Sequence, residues 1–339
     1  MKLSLQRVDL PLKHTFAISR ESTCVVRSIV VRLEQDGNVG YGAAVESTFY
    51  NVTIEEVQEC LLKAADMVED YTLADPMAFW FYTAEMFGKN RFAQSALDIA
   101  AYDLWGKLRQ QPVWKLWGYS LADVPQSSFT IGIDSIPVMV DRLKEFPDWP
   151  IYKIKLGTDE DIEIVTELRK HTDAIFRVDP NGAWGPEETV RNAELLKPLG
   201  VEFIEQPLPA NDWEGMRFVN ARSVLPIIAD ESCRGEKDVD RCAGVFDGIN
   251  IKLGKCGGLT PARRMIKRAQ KWGLKCMLGC MVESTIGISA LAQLAPIADY
   301  ADLDGPVLID KKVADGVEVE KGKLIFPSEN GCGLSLVKR

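Results

Sequence analysis

The sequence predicts a (β/α) barrel preceded by an α+β segment, and three observations carry that expectation. After about Ser127, eight short β-type runs alternate with seven helical or turn stretches, a texture that builds a parallel sheet with right-handed crossovers. Eight strands favour closure into a barrel, with an open doubly wound sheet as the alternative. Charged residues end successive runs at intervals of 24, 26, 25 and 25 residues, from Lys155 to Asp179, Glu205, Asp230 and Lys255. Each interval is one βα unit. Finally, 339 residues exceed one ordinary domain and suit a large barrel with an attachment.

The first part lacks the alternation. VVRSIVVRLEQDGNVGYGAAVES turns over at Asp36-Gly37 and reads as a hairpin. Helical periodicity follows over Ile54 to Asp70 and over Ala93 to Arg109. The strand candidates are then SFTIGI, IYKIKL, IFRVDP, VEFIEQP, PIIADES, GINIKL, KCMLGC and YADLDG. Between them lie IPVMVDRLKEF, EDIEIVTELRKH, PEETVRNAELLKPL, WEGMRFVNARS, a short segment near Val239, TPARRMIKRAQKWG and TIGISALAQLA. Residues from about Val307 onward return to the N-terminal part.

Composition narrows the function. A net charge of −9 and no long basic run argue against a nucleic-acid surface. No apolar run approaches the roughly 20 residues of a membrane span, and Met1–His14 is not a secretory signal. Eight scattered cysteines without a CxxC pair fit reduced thiols in the cytoplasm.

The strand ends carry the chemistry. In a barrel, working residues sit at the C-terminal ends of strands. IYKIKL places Lys153 and Lys155 two apart, on one face of an otherwise buried strand. Strands three to five end in Asp179, Glu205 and Asp230-Glu231, strand six in Lys252 and Lys255, and strand eight in Asp302 and Asp304. A single Asp after a strand is most often a cap or turn residue, but five charges in register converge on one volume. Three carboxylates without His or Cys suit Mg²⁺ or Mn²⁺ rather than Zn²⁺. Without a metal, they are expected to pair with the lysines. Burial, Lys153 and a divalent cation would lower the pKa of Lys155, making it a base, while Lys153 touches a substrate carboxylate. A metal on that carboxylate stabilises an enediolate, and one lysine on each side permits epimerisation or racemisation. With one lysine acting, elimination or cycloisomerisation is the outcome. The two histidines, His14 and His171, fall at no strand end.

The set KIK, VDPNG, IEQP, ADES and KLGKCGG resembles the enolase superfamily, in its muconate lactonising subgroup, over nearly the whole chain. SALDIAAYDLWGK and MLGCM resemble it too. Lysine or histidine bases with Mg²⁺ are a known pairing of that superfamily. The resemblance implies a TIM-type barrel over 121–306, with an α+β capping domain from 1–120 and from the tail 307–339. It implies Asp179, Glu205 and Asp230 as ligands of one Mg²⁺ per subunit, and Lys155 and Lys255 as the acid/base pair. Asp302-x-Asp304 resembles the motif with which dipeptide epimerases bind a substrate's free α-ammonium group. The implied function is epimerisation of the C-terminal residue of a dipeptide, with L-Ala-D/L-Glu the leading substrate type. Other apolar dipeptides, muconate cycloisomerase or o-succinylbenzoate synthase chemistry, and a non-catalytic binding role are the alternatives. Arg20, in FAISR, resembles the residue that pairs with a substrate Glu side chain; a solvated surface arginine is the bland alternative. Thr48, Phe49 and Tyr50 form a second candidate loop, and Thr130 and Met281 are candidate pocket residues. Two departures stand out: Ala43 occupies a place where many relatives carry Glu, and Glu283 is either a pocket residue or a helix N-terminal acid. Assembly into a homo-oligomer is left open.

Overall fold

The computed structural model describes residues 1–337. The N-terminal part is a three-stranded antiparallel sheet of β1 (Lys2–Ala17), β2 (Ser22–Gln35) and β3 (Asn38–Val45), in that order. The turn between β2 and β3 has Asp36 and Gly37 at φ 50° and 74°, the left-handed pair that a two-residue hairpin needs. The long β1 was not legible in the mixed charges of the first residues.

Both faces of this sheet are buried, which explains the near-continuous SIVVRL run. Ile29, Val31 and Leu33 pack with Val57, Leu61, Phe79 and Leu97 on the helical side. Val8, Leu10, Val26 and Val30 belong to the barrel's core. Helix Arg91–Leu108 is buried along most of its length. A Cβ at Gly40 or Gly42 would collide with backbone atoms of Ala100, Leu104 or Ala96. GYG and the Ala-rich helix are therefore one backbone-to-backbone packing device. The expected helix over Ile54 to Asp70 is interrupted at Ala64, giving Ile54–Lys63 and Ala65–Glu69. A further helix, Pro76–Phe87, is capped by Asp75, which accepts from the Met77 N–H.

The remainder is an eight-stranded parallel sheet, β4 (Phe129–Ile131), β5 (Ile151–Lys155), β6 (Ile175–Asp179), β7 (Val201–Glu205), β8 (Ile227–Ala229), β9 (Gly248–Ile251), β10 (Lys275–Gly279) and β11 (Tyr300–Asp302), each paired with the next. A parallel bridge between Ser127 and Ala301 joins its two edges, with Ser128 N–H donating to Ala301 O at 3.1 Å. The sheet is therefore a barrel and not an open doubly wound sheet. All seven expected crossover helices are present.

The period of two sorts each strand. Ile154, Val178, Ile204, Ala229, Ile251 and Leu278 point outward into the helix layer. Their neighbours point inward. Phe203, Ile228 and Met277 pack at the floor with Tyr300. Arg177 holds its guanidinium carbon 5.1 and 5.0 Å from the Phe203 and Tyr300 ring centres there and donates to Ala301 O at 3.0 Å. Above this floor the interior is charged. The two lysines of IYKIKL share a face because that face is the barrel's interior. The C-terminal tail runs back along helix Arg91–Leu108: Cys332 N–H donates to Asp103 and Leu334 O accepts from Lys107.

Candidate active site

Asp179 ends β6, Glu205 ends β7 and Asp230 follows β8; each is almost wholly buried. Their carboxylate oxygens lie within 4.8 Å of one another. Parallel register brings Lys155 level with Asp179. Lys155 Nζ lies 2.6 Å from Asp179 Oδ2 and 3.2 Å from Asn181 Oδ1. Across the site, Lys252 Nζ lies 2.7 Å from Asp230 Oδ2, and Lys255 Nζ 2.5 Å from Asp230 Oδ1. The lysines thus flank the carboxylates from β5 and from beyond β9. Lys255 is not at the strand end proper. It sits on a one-turn helix, Leu253–Cys256, and reaches back to Asp230, with Asn250 O as a further acceptor at 2.8 Å.

Lys153 lies one layer deeper. Its ammonium stands 2.7 Å from Glu205 Oε2, 3.0 Å from Asp302 Oδ2 and 3.2 Å from Asp179 Oδ2. Burial works against its charge, but Asp302, Glu205 and Asp179 together raise its pKa well above the ordinary lysine value. Burial likewise opposes ionisation of Asp179 and Asp230. The lysines beside them win, holding Asp179 below and Asp230 well below the ordinary carboxyl range. Glu205 goes the other way, up to about 7, through burial and the neighbouring charge of Asp179. Its Oε1 accepts from Asn250 Nδ2 at 2.7 Å. Its Oε2, though close to Lys153, accepts no well-angled hydrogen bond from any described group.

Three buried carboxylates that converge with only oxygen donors fit a hard divalent cation. Asp179, Glu205 and Asp230 fit Mg²⁺ or Mn²⁺; the lysine ion pairs are what these charges do without one.

Above the carboxylates opens a cavity of about 460 Å³, lined in part by Lys153, Lys155, Asp230, Lys252, Asp302 and Asp304. Thr130 and Met281 line it too, as do Arg20 and the loop residues Thr48, Phe49 and Tyr50. Asp302 and Asp304 are more engaged than an open rim pair would be. Asp302 accepts from Ser128 Oγ at 2.6 Å besides its ion pair with Lys153. Asp304 accepts from the Thr130 N–H at 2.5 Å. Burial and Asp302 push Asp304 up to about 7. Arg20 is no solvated surface arginine. It donates to Asn181 O at 2.9 Å, pairs with Glu231 at 2.5 Å and stacks on Phe49 with its guanidinium carbon 4.1 Å from the ring centre. Glu283 lies just before helix Thr285–Ala292 and accepts from the Met281 N–H at 3.2 Å rather than from a helical N–H; burial pushes its carboxyl up to about 7. His14 and His171 pair with Glu145 and Glu167 on the surface.

Asn250, Asn181 and Ser128 escaped the sequence reading. Ser128 and Asn250 left a trace: they lie two residues before Thr130 in SFTIGI and before Lys252 in GINIKL, hence on the same inward faces, whereas Asn181 in VDPNG lies past the end of its strand.

Two family models match the chain: the N-terminal domain of mandelate racemase and muconate lactonizing enzyme over residues 2–118, and the enolase C-terminal domain-like family over 139–339. A Maribacter protein named L-Ala-D/L-amino acid epimerase is 50% identical over 337 residues, 99% of each chain. The substrate-liganded L-Ala-D/L-Glu epimerase of Bacillus subtilis superposes with a TM-score of 0.93 at 26% identity, over 98% of this chain and 99% of that one. A dipeptide epimerase of Enterococcus faecalis, complexed with Mg and L-Leu-L-Tyr, gives 0.91 at 31% identity, also over 98% and 99%. The chain belongs to the enolase superfamily, within the mandelate racemase and muconate lactonizing enzyme family, among its dipeptide epimerases.

Proposed function

We propose that this dipeptide epimerase inverts the α-carbon of the second residue of L-Ala-D/L-Xaa dipeptides, L-Ala-D/L-Glu among them. The observation that carries the reading is the placement of Lys155 and Lys255 on opposite sides of three buried carboxylates, under a cavity that also reaches Asp302 and Asp304.

Asp179, Glu205 and Asp230 would hold the Mg²⁺. When bound, that cation supplies positive charge at the substrate carboxylate, which makes the adjacent C–H more acidic. The chain's own residues do the rest. Lys155 Nζ takes the α-proton from one face, and Lys255 Nζ delivers a proton to the other. For the opposite enantiomer the two exchange roles. Lys153, held cationic by its three carboxylates, adds positive charge beneath the substrate carboxylate rather than moving protons. Asp302 and Asp304 receive the substrate's α-ammonium group. Cycloisomerase and synthase substrates lack that group. Arg20, Phe49 and Tyr50 face the second residue's side chain.

We read 1–120 as the cap supplying these loops, 121–306 as the barrel, and 307–339 as the tail that braces the cap. No described helix is long and apolar enough to cross a membrane, and the eight cysteines are free. We place the enzyme in the cytoplasm, where thiols stay reduced.

The test is incubation with L-Ala-L-Xaa dipeptides and their N-acetyl forms in D₂O with Mg²⁺. Deuterium gain at the second α-carbon with inversion, for the free dipeptides alone, is expected. Equal turnover of N-acetyl dipeptides would remove the ammonium role of Asp302 and Asp304. No exchange with any dipeptide would overturn the reading.

A further inference from the structure

The cap side of the cavity holds a second pair of opposite charges, Arg20 and Glu231. Glu231 follows the triad's Asp230 and is about 4% exposed, yet one of its oxygens, Oε2, has no hydrogen-bond partner among the described residues. Its other oxygen pairs with Arg20 at 2.5 Å. Both residues line the cavity. Arg20 is anchored at Asn181 O, stacked on Phe49 and one-third exposed. Arg234 carries its guanidinium over Phe49 and Tyr50 and donates to Glu231 O at 3.0 Å. A lone arginine here would demand an acidic partner. An arginine already neutralised by a buried carboxylate does not. The pair presents a donor beside a free acceptor, and a side chain with both functions complements it without breaking it.

Resting on the dipeptide epimerase reading above, we propose that Glu231 is a specificity-determining residue, which tempers Arg20 and opens the side-chain pocket to neutral donor–acceptor groups such as a carboxamide. A substrate glutamate has to compete with Glu231 for Arg20. A substrate lysine meets Arg20 before it meets Glu231. A glutamine side chain accepts from Arg20 and donates to Glu231 Oε2 together.

The experiment compares kcat/KM for L-Ala-L-Glu, L-Ala-L-Gln and L-Ala-L-Lys in the Mg²⁺-loaded wild type, Glu231→Gln and Arg20→Gln. The wild type is expected to use Gln at least as well as Glu. Glu231→Gln should move the Glu/Gln ratio about tenfold toward Glu, the size of one partly shielded charge contact. Arg20→Gln should raise kcat/KM for L-Ala-L-Lys above the wild-type value, because Glu231 is then uncovered. That gain separates the proposal from simple loss of an arginine, and it stands even if Glu231→Gln disturbs the neighbouring Asp230. An unmoved Glu/Gln ratio in an active Glu231→Gln, or no gain for Lys in Arg20→Gln, overturns the proposal while leaving the epimerase reading intact. Absence of turnover on all three dipeptides by the wild type overturns the parent reading instead.

Discussion

Buried carboxylates occur in two regions of this molecule, and they do opposite things. At the barrel mouth, Asp179, Glu205, Asp230 and Asp302 lie among Lys153, Lys155, Lys252 and Lys255, every ammonium within 3.2 Å of a carboxylate oxygen. At the seam between cap and barrel, helix Arg91–Leu108 buries Asp98 and Asp103 just as deeply. Asp98 accepts from Thr260 N–H and Oγ1, both at 2.9 Å, and so caps helix Leu259–Lys271 from outside. Asp103 binds Tyr41 N–H, Cys332 N–H and Lys107, tying hairpin, tail and helix together. Depth of burial therefore does not mark the active site. What marks it is several like charges from different strands, sharing one volume with as many opposite charges. Such a cluster costs desolvation energy, and nothing about folding a barrel demands it. The seam carboxylates instead satisfy backbone groups that would otherwise be orphaned.

The largest test of this contrast removes one lysine at a time. Lys155→Met and Lys255→Met should each lower epimerisation about 10³-fold, the scale of a lost general acid or base. Each variant should still exchange the α-proton of one enantiomer with solvent, and the two should differ in which one. Retention of full epimerisation in either variant, read by polarimetry, would remove that lysine from the proton relay.

Next in size is removal of the cation. Chelation should abolish turnover, and added Mg²⁺ should restore it. Mg²⁺ should also raise the melting temperature, with stabilisation of about 2.7 kcal/mol at a hundredfold excess over its Kd. Glu205→Gln should blunt that rise and Asp98→Asn should leave it intact. Equal blunting by both would erase the distinction between the two regions.

Most of the mouth was legible in the sequence, because its residues lie at strand ends one βα unit apart. The strand period of two then fixes which side chains face inward. Lys153, Lys155, Asp179, Glu205 and Asp230 follow from those rules alone. Lys255 strained them: it lies three residues beyond Lys252, off the strand face, and reaches Asp230 only because a helical turn intervenes. The Arg20–Glu231 pair was beyond reach. Its partners are 211 residues apart, and their meeting depends on how the cap docks, which no local period encodes. The first strand failed for a related reason. β1 gains its order from pairing with β2 and from burial between cap and barrel, whereas its own residues mix charged and apolar types. The seam was half visible: the Ala-rich helix announced close packing, but nothing in ALDIAAYD said that both aspartates would be buried acceptors.

A smaller effect is expected at the seam, and on stability rather than rate. Asp98→Ala leaves the Thr260 N–H and hydroxyl without their acceptor, a loss of about 2 kcal/mol in denaturant unfolding. Turnover per folded molecule should stay within about twofold of wild type, since Asp98 does not line the cavity. A large fall in kcat with unchanged stability would place Asp98 in the chemistry and dissolve the contrast.

The finest test uses pH, because burial without a cation leaves a titration signature. Burial pushes the Asp98 carboxyl up to about 7, against the hydrogen bonds from Thr260 that favour its charged form. An unfolded aspartate titrates near roughly 3.9. Between those values the folded chain holds a proton that the unfolded chain has released. Stability therefore falls as pH rises through that window and stays at the lower level above it. Asp98→Asn has no such proton. The stability of wild type relative to Asp98→Asn should decline by on the order of 3 kcal/mol between pH 4 and pH 8, with titrations elsewhere cancelling in the difference. Urea unfolding of the two proteins at matched pH values reads it directly. A flat difference would mean that Thr260 supports the charged form as well as water does, and that the seam carboxylate is no costlier to ionise than an exposed one.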